Sequence, residues 1–256
     1  MDLSQSLRGR SVLITGASSG FGAHFAGLMA RVGARIAIAA RRIGELEAMT
    51  AELTAAGAAD VLAVRMDVSD AASIDAGFAA IDDRFGGLDI LVNNAGIGVQ
   101  ASAIDQPVDS YDQVMAVNLR GPWLAAQAAA RRWRTAKRGG VILNIASITG
   151  LRAMNGLAAY SVSKAALIHM TESLAMEWAR FGIRVNALAP GYFATPINAE
   201  HFQTEAGKAL IQRMPMRRLG RYEDLDGPFL LLVSDASRYM TGSVVTVDGG
   251  HTIASL

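Results

Sequence analysis

Short β-rich apolar runs alternate with longer helix-forming stretches along the whole chain. That alternation most limits what it can fold into. The first run, Arg10–Thr15 (RSVLIT), meets GASSGFG and then an apolar-periodic stretch, His24–Val32, with Gly33 where a helix stop is expected. Arg35–Ala39 reads as a strand and Glu45–Ala56 as a helix. The pattern continues with Val61–Arg65, Ala71–Phe85, Leu88–Val92, Tyr111–Trp133, Val141–Ile145, Ala158–Phe181 (stopped by Gly182) and Ile183–Leu188. A more irregular stretch follows, Gly191–Arg218, with one helical segment near Thr204–Met214. A helix over Glu223–Ser234 and a strand over Ser243–Val247 complete the series. Strands separated by helices of this length predict βαβ units, and so an α/β fold with a doubly wound parallel sheet of about seven strands. No composition break divides residues 1–256, so a single domain is expected, with 191–218 as a candidate substrate lid.

A chain of 256 residues buries a sizeable core. Its apolar fraction is 51%, but the apolar runs fall far short of the ~20 residues of a membrane span. The opening MDLSQSLRGR lacks the apolar centre of a signal peptide. The absence of cysteine excludes a disulfide framework, cysteine-ligated zinc and thiol catalysis. A net charge of +1 gives no polyanion footprint. These features predict a cytoplasmic protein that works on a small molecule, with no nucleic-acid or membrane partner.

The stretch Ser147–Lys164 carries the clearest chemistry. Tyr160 and Lys164 are four apart, which on a helix places a phenol and an ammonium on one face. A nearby positive charge favours the phenolate and is expected to lower the tyrosine pKa towards the range useful for proton transfer. Ser147, just past the run Val141–Ala146, could hydrogen-bond the oxygen that the phenol protonates. Taken alone, a Tyr-Lys pair at this spacing is equally an ordinary surface pair.

Thr15–Gly22 (TGASSGFG) joins the first strand to the first helix. Glycines there permit a tight turn and let a pyrophosphate approach the helix N-terminus, where free N–H groups favour anions. The spacing is G-x-x-x-G-x-G, and by itself it also suits a plain strand-to-helix turn. About twenty residues beyond Gly20, where an NAD site places an acid, stand Ala40, Arg41 and Arg42. Two guanidiniums suit a ribose 2′-phosphate, predicting NADP (NADPH) with NAD as the lesser possibility; a solvated helix start is the alternative.

Together these stretches resemble the short-chain dehydrogenase/reductase family in its branch of roughly 250 residues. TGASSGFG, MDVS (Met66–Ser69), NNAG (Asn93–Gly96), Asn118, the Ser147/Tyr160/Lys164 set, Pro190–Gly191 with Thr195, and VDGG (Val247–Gly250) carry the likeness. The resemblance implies a Rossmann-like fold and hydride transfer between a nicotinamide and a ketone or secondary alcohol. It places Gly16, Gly20 and Gly22, with Ser18, Ser19 and Phe21, at the cofactor pyrophosphate, and Asp67 and Val68 around the adenine. Asn94, Ala95 and Gly96 follow Asn93 beneath the cofactor. Pro190, Gly191, Phe193 and Thr195 lie at the nicotinamide, and Lys164 also reaches its ribose. Asn118 would distort its helix and hold a water leading to Lys164, and Tyr160 would deliver the proton.

His24, His169, His201 and His251 show no metal-ligand spacing and read as structural or solvated; His201 is the exception to watch, in the stretch that would cover the substrate. No metal site is expected. Arg131, Arg132, Arg134, Lys137 and Arg138 end a predicted helix, where cations complement the dipole, with docking of an acidic carrier protein as the alternative. Met170, Met176 and Trp178 read as core or subunit contacts, and the resemblance implies a homotetramer, or a homodimer, using that helix. The substrate-facing candidates Ile97, Ile148, Leu151, Met154, Leu157, Tyr192, Phe193, Ile197 and Phe202 are largely apolar and favour a hydrophobic ketone. Arg213 and Arg217 read first as solvated, with a carboxylate contact the alternative. Reduction of a 3-oxoacyl carrier substrate, an NAD-linked sugar or polyol dehydrogenase, and a nucleotide sensor without catalysis are the competing readings. Enoyl reduction is disfavoured, because those relatives space the tyrosine and lysine more widely.

Overall fold

The apolar runs become seven strands: β1 (Ser11–Thr15), β2 (Arg35–Ala40), β3 (Asp60–Arg65), β4 (Ile90–Asn93), β5 (Gly140–Ile145), β6 (Ile183–Pro190) and β7 (Val244–Val247). They form one sheet in the order β3-β2-β1-β4-β5-β6-β7, parallel throughout. The structure is a computed structural model and describes residues 3, 5–194 and 202–254. Its α-helices are α1 (Gly20–Arg31), α2 (Ile43–Ala55), α3 (Ala71–Phe85), α4 (Val108–Met115), α5 (Gly121–Thr135), α6 (Ala158–Trp178), α7 (Glu205–Arg213) and α8 (Asp226–Val233). No helix among the described residues is long and apolar enough to cross a membrane.

Strand residues alternate between two apolar layers, which is why the sequence shows continuous apolar runs rather than hydrophobic-polar alternation. Val12 and Ile14 pack with Phe25, Met29, Leu46 and Phe229, so α1, α2 and α8 cover one face. Leu13 lies in the opposite layer with Phe78, Trp133, Leu167 and Leu174, from α3, α5 and α6. Phe25 and Phe229 stack with ring centroids 4.2 Å apart, tying α1 to α8.

The single helix expected over Tyr111–Trp133 is instead interrupted by a π-helical segment, Ala116–Arg120. Pro122 accounts for part of this break. It has no N–H to give the Asn118 carbonyl four residues earlier, so the regular ladder cannot run through. The final helix also starts later than expected, after a 3₁₀ turn at Tyr222–Leu225.

The sheet order sets the position of the site. The chain winds outward from β1 to β3, then returns to place β4 on the other side of β1. Connections therefore leave in opposite directions at the carboxyl ends of β1 and β4, opening a crevice at that switch point.

Candidate active site

The crevice is floored by bonds between the ends of β1 and β4. The Thr15 hydroxyl accepts from the main-chain N–H groups of Asn94 and Ala95, both at 3.1 Å. The Asn94 carboxamide donates to the carbonyls of Thr15 (2.9 Å) and Gly16 (3.1 Å). Asn94 thus braces the glycine loop; Asn93 turns away, donating to the buried Asn144 side chain at 2.9 Å, which donates in turn to Thr171. Thr15 opens the TGASSGFG motif, but Asn144 and Thr171 were not singled out in the sequence, where nothing but their polarity within apolar stretches marks them.

Gly20 and Gly22 are glycine for different reasons. A Cβ on Gly22 would lie 2.6 Å from the Asn94 amide nitrogen and overlap the Gly16 carbonyl oxygen, so its demand is internal packing. Gly20 has φ +57, yet a Cβ there would meet nothing within 4 Å: it faces open space at the start of α1. Ser19, the N-cap of α1, makes no side-chain capping bond, and the first turn carries no acid, so the helix N-terminus is left for an anion.

Ala40 ends β2 with no carboxylate. Arg41 is exposed and, among the described residues, has no acid within ion-pairing distance. Arg42 is engaged: it pairs with Glu45 at 2.9 Å and reaches the Ser18 hydroxyl at 3.4 Å. The Asp67 carboxylate accepts from the Ser69 hydroxyl (2.6 Å) and N–H (2.9 Å). The Ser69 hydroxyl bond, with the Arg41 charge as a smaller contribution, holds its pKa below the usual carboxylate value against the opposing effect of burial. Val68 is buried beside it. Phe21 and Phe193 meet edge to face at 5.3 Å, with Tyr222 against Phe21, so their rings pack on one another. Gly191 continues from Pro190 at the end of β6 and approaches Asp248 closely. Thr195, Ile197 and His201 lie outside the described residues.

Three of the four catalytic candidates, Asn118, Tyr160 and Lys164, converge on the segment after β4. Cβ positions on Gly96 would lie 3.4 Å from the Lys164 Nζ and 3.5 Å from the Asn118 Oδ1, and on Gly98 3.6 Å from the Tyr160 ring. Asn118, fully buried in the π segment, donates from Nδ2 to the Ile97 carbonyl and accepts the Ile97 N–H at Oδ1, both at 2.8 Å. Its Nδ2 also donates to the Ser163 hydroxyl at 3.1 Å. Ser163, overlooked in the sequence although it sits within YSVSK, donates to the Tyr160 carbonyl at 2.7 Å.

Lys164 is buried and its ammonium donates to the Ile145 carbonyl at 2.8 Å. Burial lowers its pKa to about 8. The tyrosine pKa departs from the sequence expectation. Burial raises it, and only the Ser147 hydroxyl, which hydrogen-bonds the phenol, eases that shift. The Lys164 nitrogen stands 5.6 Å from the Tyr160 ring centroid, and the net effect of the surroundings still favours the neutral phenol. A neutral phenol is the proton-bearing form needed to act as an acid.

Beyond Ser147 lies a cavity of about 170 Å³, with Ile148, Met154, Tyr192 and Leu210 among its lining residues. Arg152, Arg213 and His251 also line it. Arg152 and His251 had no signal in the sequence, because residues a hundred positions apart meet there only through the fold.

Comparison with known proteins places this geometry in context. A family model described as enoyl-(acyl carrier protein) reductase matches residues 16–252. L-rhamnose 1-dehydrogenase (NAD(P)(+)) of Azotobacter vinelandii is 39% identical, covering 94% of this chain and 96% of that protein. The 3beta-hydroxysteroid dehydrogenase 1 of Eggerthella lenta is 38% identical, covering 96% and 95%. A crystal structure of gluconate 5-dehydrogenase from Burkholderia cenocepacia, in complex with NADP and tartrate, superposes with a TM-score of 0.93. It shares 35% identity and covers 100% of both chains.

Proposed function

Because the chain belongs to the short-chain dehydrogenase/reductase family, we propose that Tyr160 is the proton donor in its reaction and that NADP(H) is its preferred cofactor. The protein is an NAD(P)-dependent oxidoreductase acting on CH–OH and C=O groups. The observation that carries the residue assignment is the convergence of Lys164, Asn118 and Tyr160 on Gly96–Gly98, beside the glycine loop.

The loop fits a dinucleotide. Gly20 leaves open space at an uncapped helix N-terminus, where a pyrophosphate can sit without meeting a side chain. Gly16, Ser18, Ser19 and Gly22 would hold it there, with Arg41 at a 2′-phosphate. Asp67 and Val68 would flank the adenine, Asn94, Ala95 and Gly96 would support it from below, and Pro190, Gly191 and Thr195 would hold the nicotinamide. When bound, the cofactor supplies or accepts the hydride.

The chain handles the proton. Ser147 and Tyr160 hydrogen-bond the carbonyl oxygen and stabilise the charge that develops on it. Tyr160 gives its proton to that oxygen as the carbon takes the hydride, forming the alcohol. Lys164 then faces a phenolate, which its charge stabilises until the proton is restored. Asn118 holds Ile97 and, through Ser163, the first turn of α6, so these groups stay in register. In the oxidative direction Tyr160 removes the alcohol proton.

Leu210 and Arg213 of α7 line the cavity, which supports reading 191–218 as the segment over the substrate. Trp123, Val162 and Met176, 44%, 51% and 81% exposed on α5 and α6, support association into a dimer or tetramer through those helices. A panel of ketones and secondary alcohols assayed with both nicotinamide cofactors tests the function. Turnover with NADPH exceeding that with NADH is expected, and no cofactor turnover with any member would overturn it.

A further inference from the structure

Resting on that reading and extending it, we propose that the cavity beside Ser147 binds a carboxylate, so that the substrate is an oxo acid or hydroxy acid rather than a neutral ketone. The cavity begins one residue past Ser147, at Ile148, and Ala153, Met154 and Leu210 give it apolar walls for a hydrocarbon spacer. Arg152, Arg213 and His251 lie among the same lining residues, and no acidic side chain does among the described residues.

Each basic group has capacity to spare. Arg213 is exposed and makes one weak bond, to the Ala209 carbonyl of its own helix at 3.4 Å, with no acid in ion-pairing range among the described residues. Arg152 is fixed by the carbonyls of Thr252 (3.3 Å) and Ala254 (3.1 Å), both reached from a single guanidinium nitrogen. His251 buries its Nδ1 with no hydrogen-bond partner. Burial keeps this ring's pKa below the usual histidine value, the Arg152 charge adds to that, and Asp248 acts in the opposite sense, so it offers a hydrogen bond rather than a charge.

Asp248, the acid that could neutralise the site, is already committed. One oxygen accepts from the Thr252 N–H and hydroxyl, both at 2.7 Å, and the other from the Gly250 N–H at 2.9 Å. Two guanidiniums therefore line a small cavity that has no acidic side chain among its described lining residues, and His251, with its unpartnered nitrogen, belongs to the same wall. A carboxylate, with two oxygens able to accept several bonds, matches that donor set. A neutral ketone would leave both guanidiniums without an anionic partner and forgo the stronger, charge-assisted contact.

The test uses the full chain with NADPH and two matched pairs, acetoacetate and levulinate against their methyl esters. For at least one pair, kcat/KM for the acid should exceed that for the ester by roughly tenfold, the low end for a charge-assisted contact partly open to water. The acid-to-ester ratio should fall towards unity in Arg213→Gln, a surface change that leaves the fold intact. Calorimetric binding of the same acids and esters to the NADP⁺-loaded protein repeats the comparison without turnover. Equal or weaker binding of both acids, or an acid preference unchanged in Arg213→Gln, would overturn the carboxylate site while ester turnover upheld the oxidoreductase reading. Acid-selective binding with no turnover of any compound would uphold the site and overturn that reading instead.

Discussion

The Lys164 ammonium donates to the Ile145 carbonyl at 2.8 Å, two residues before Ser147 on the chain. A buried lysine with one bond to a neutral carbonyl is a costly arrangement, and burial brings its pKa down from 10.5 to about 8. With a folded pKa below the unfolded one, the unfolded chain binds more protons between these values, so stability rises with pH there. The cost is complete below pH 8 and worth about 3 kcal/mol. Lys164→Met should accordingly be more stable than the parent near pH 7, with the gap closing as pH rises from 8 towards 10.5, and inactive throughout. Urea titrations at several pH values check this; a gap independent of pH would mean that the lysine is not perturbed.

Asn118 is a structural brace as well as a catalytic candidate. Asn118→Ala removes all three of its bonds and strands the Ile97 N–H and carbonyl. At ~1–3 kcal/mol for each of the two groups left unpaired, a loss of about 2–6 kcal/mol is expected, along with most of the turnover. Denaturant unfolding and steady-state kinetics measure both. Unchanged stability would show that Ile97 finds another partner.

The two glycines of the loop should respond oppositely. Gly22→Ala forces a Cβ into the Gly16 carbonyl and the Asn94 amide, so the protein should be strongly destabilised. Gly20→Ala meets no atom and costs only the positive φ, ~1–2 kcal/mol. It should fold, yet lose cofactor affinity by an order of magnitude or more, since the methyl occupies the cradle. Thermal unfolding with fluorescence titration of NADPH separates the two effects. Tight NADPH binding by Gly20→Ala would place the pyrophosphate elsewhere.

Cofactor preference rests on Ala40 and Arg41. With no acid at Ala40 and no ion pair at Arg41 among the described residues, NADPH should bind more tightly than NADH by roughly 10- to 150-fold, the range of a charge-assisted contact. Arg42, held by Glu45, contributes less. Arg41→Ala should remove most of the preference and Ala40→Asp should reverse it. Direct titration with both dinucleotides decides it, and tighter NADH binding by the parent protein would refute the preference.

The sequence makes the sheet and the glycine loop legible because their signals are local. Apolar runs, turn glycines and the four-residue step from Tyr160 to Lys164 each sit within one element. The features it hides depend on contacts across the fold. The resemblance implies a distorted helix at Asn118, but its causes, Pro122 and the bonds to the Ile97 backbone, show only in the fold. The raised phenol pKa follows from burial, which a neighbouring lysine in the sequence does not reveal. Arg213 offers a carboxylate contact as the lesser reading of the sequence, but that it meets Arg152 and His251 in one cavity depends on α7 and the carboxyl-terminal turn being in place. His251 in particular reads as structural when taken alone, and only its unpartnered nitrogen marks it otherwise.

Assigning the proton to Tyr160 separates chemistry from binding, because the cofactor site does not depend on the phenol. The most direct test of that assignment is Tyr160→Phe, in which the ring remains against Gly98 and only the hydroxyl is lost. NADPH dissociation constants and single-turnover rates of ketone reduction would be measured for the variant and the parent. An NADPH affinity within about threefold of the parent is expected, with a reduction rate lower by ~10²–10⁴-fold, the usual contribution of a positioned acid. A variant that reduces the same ketone at close to the parent rate would contradict the assignment.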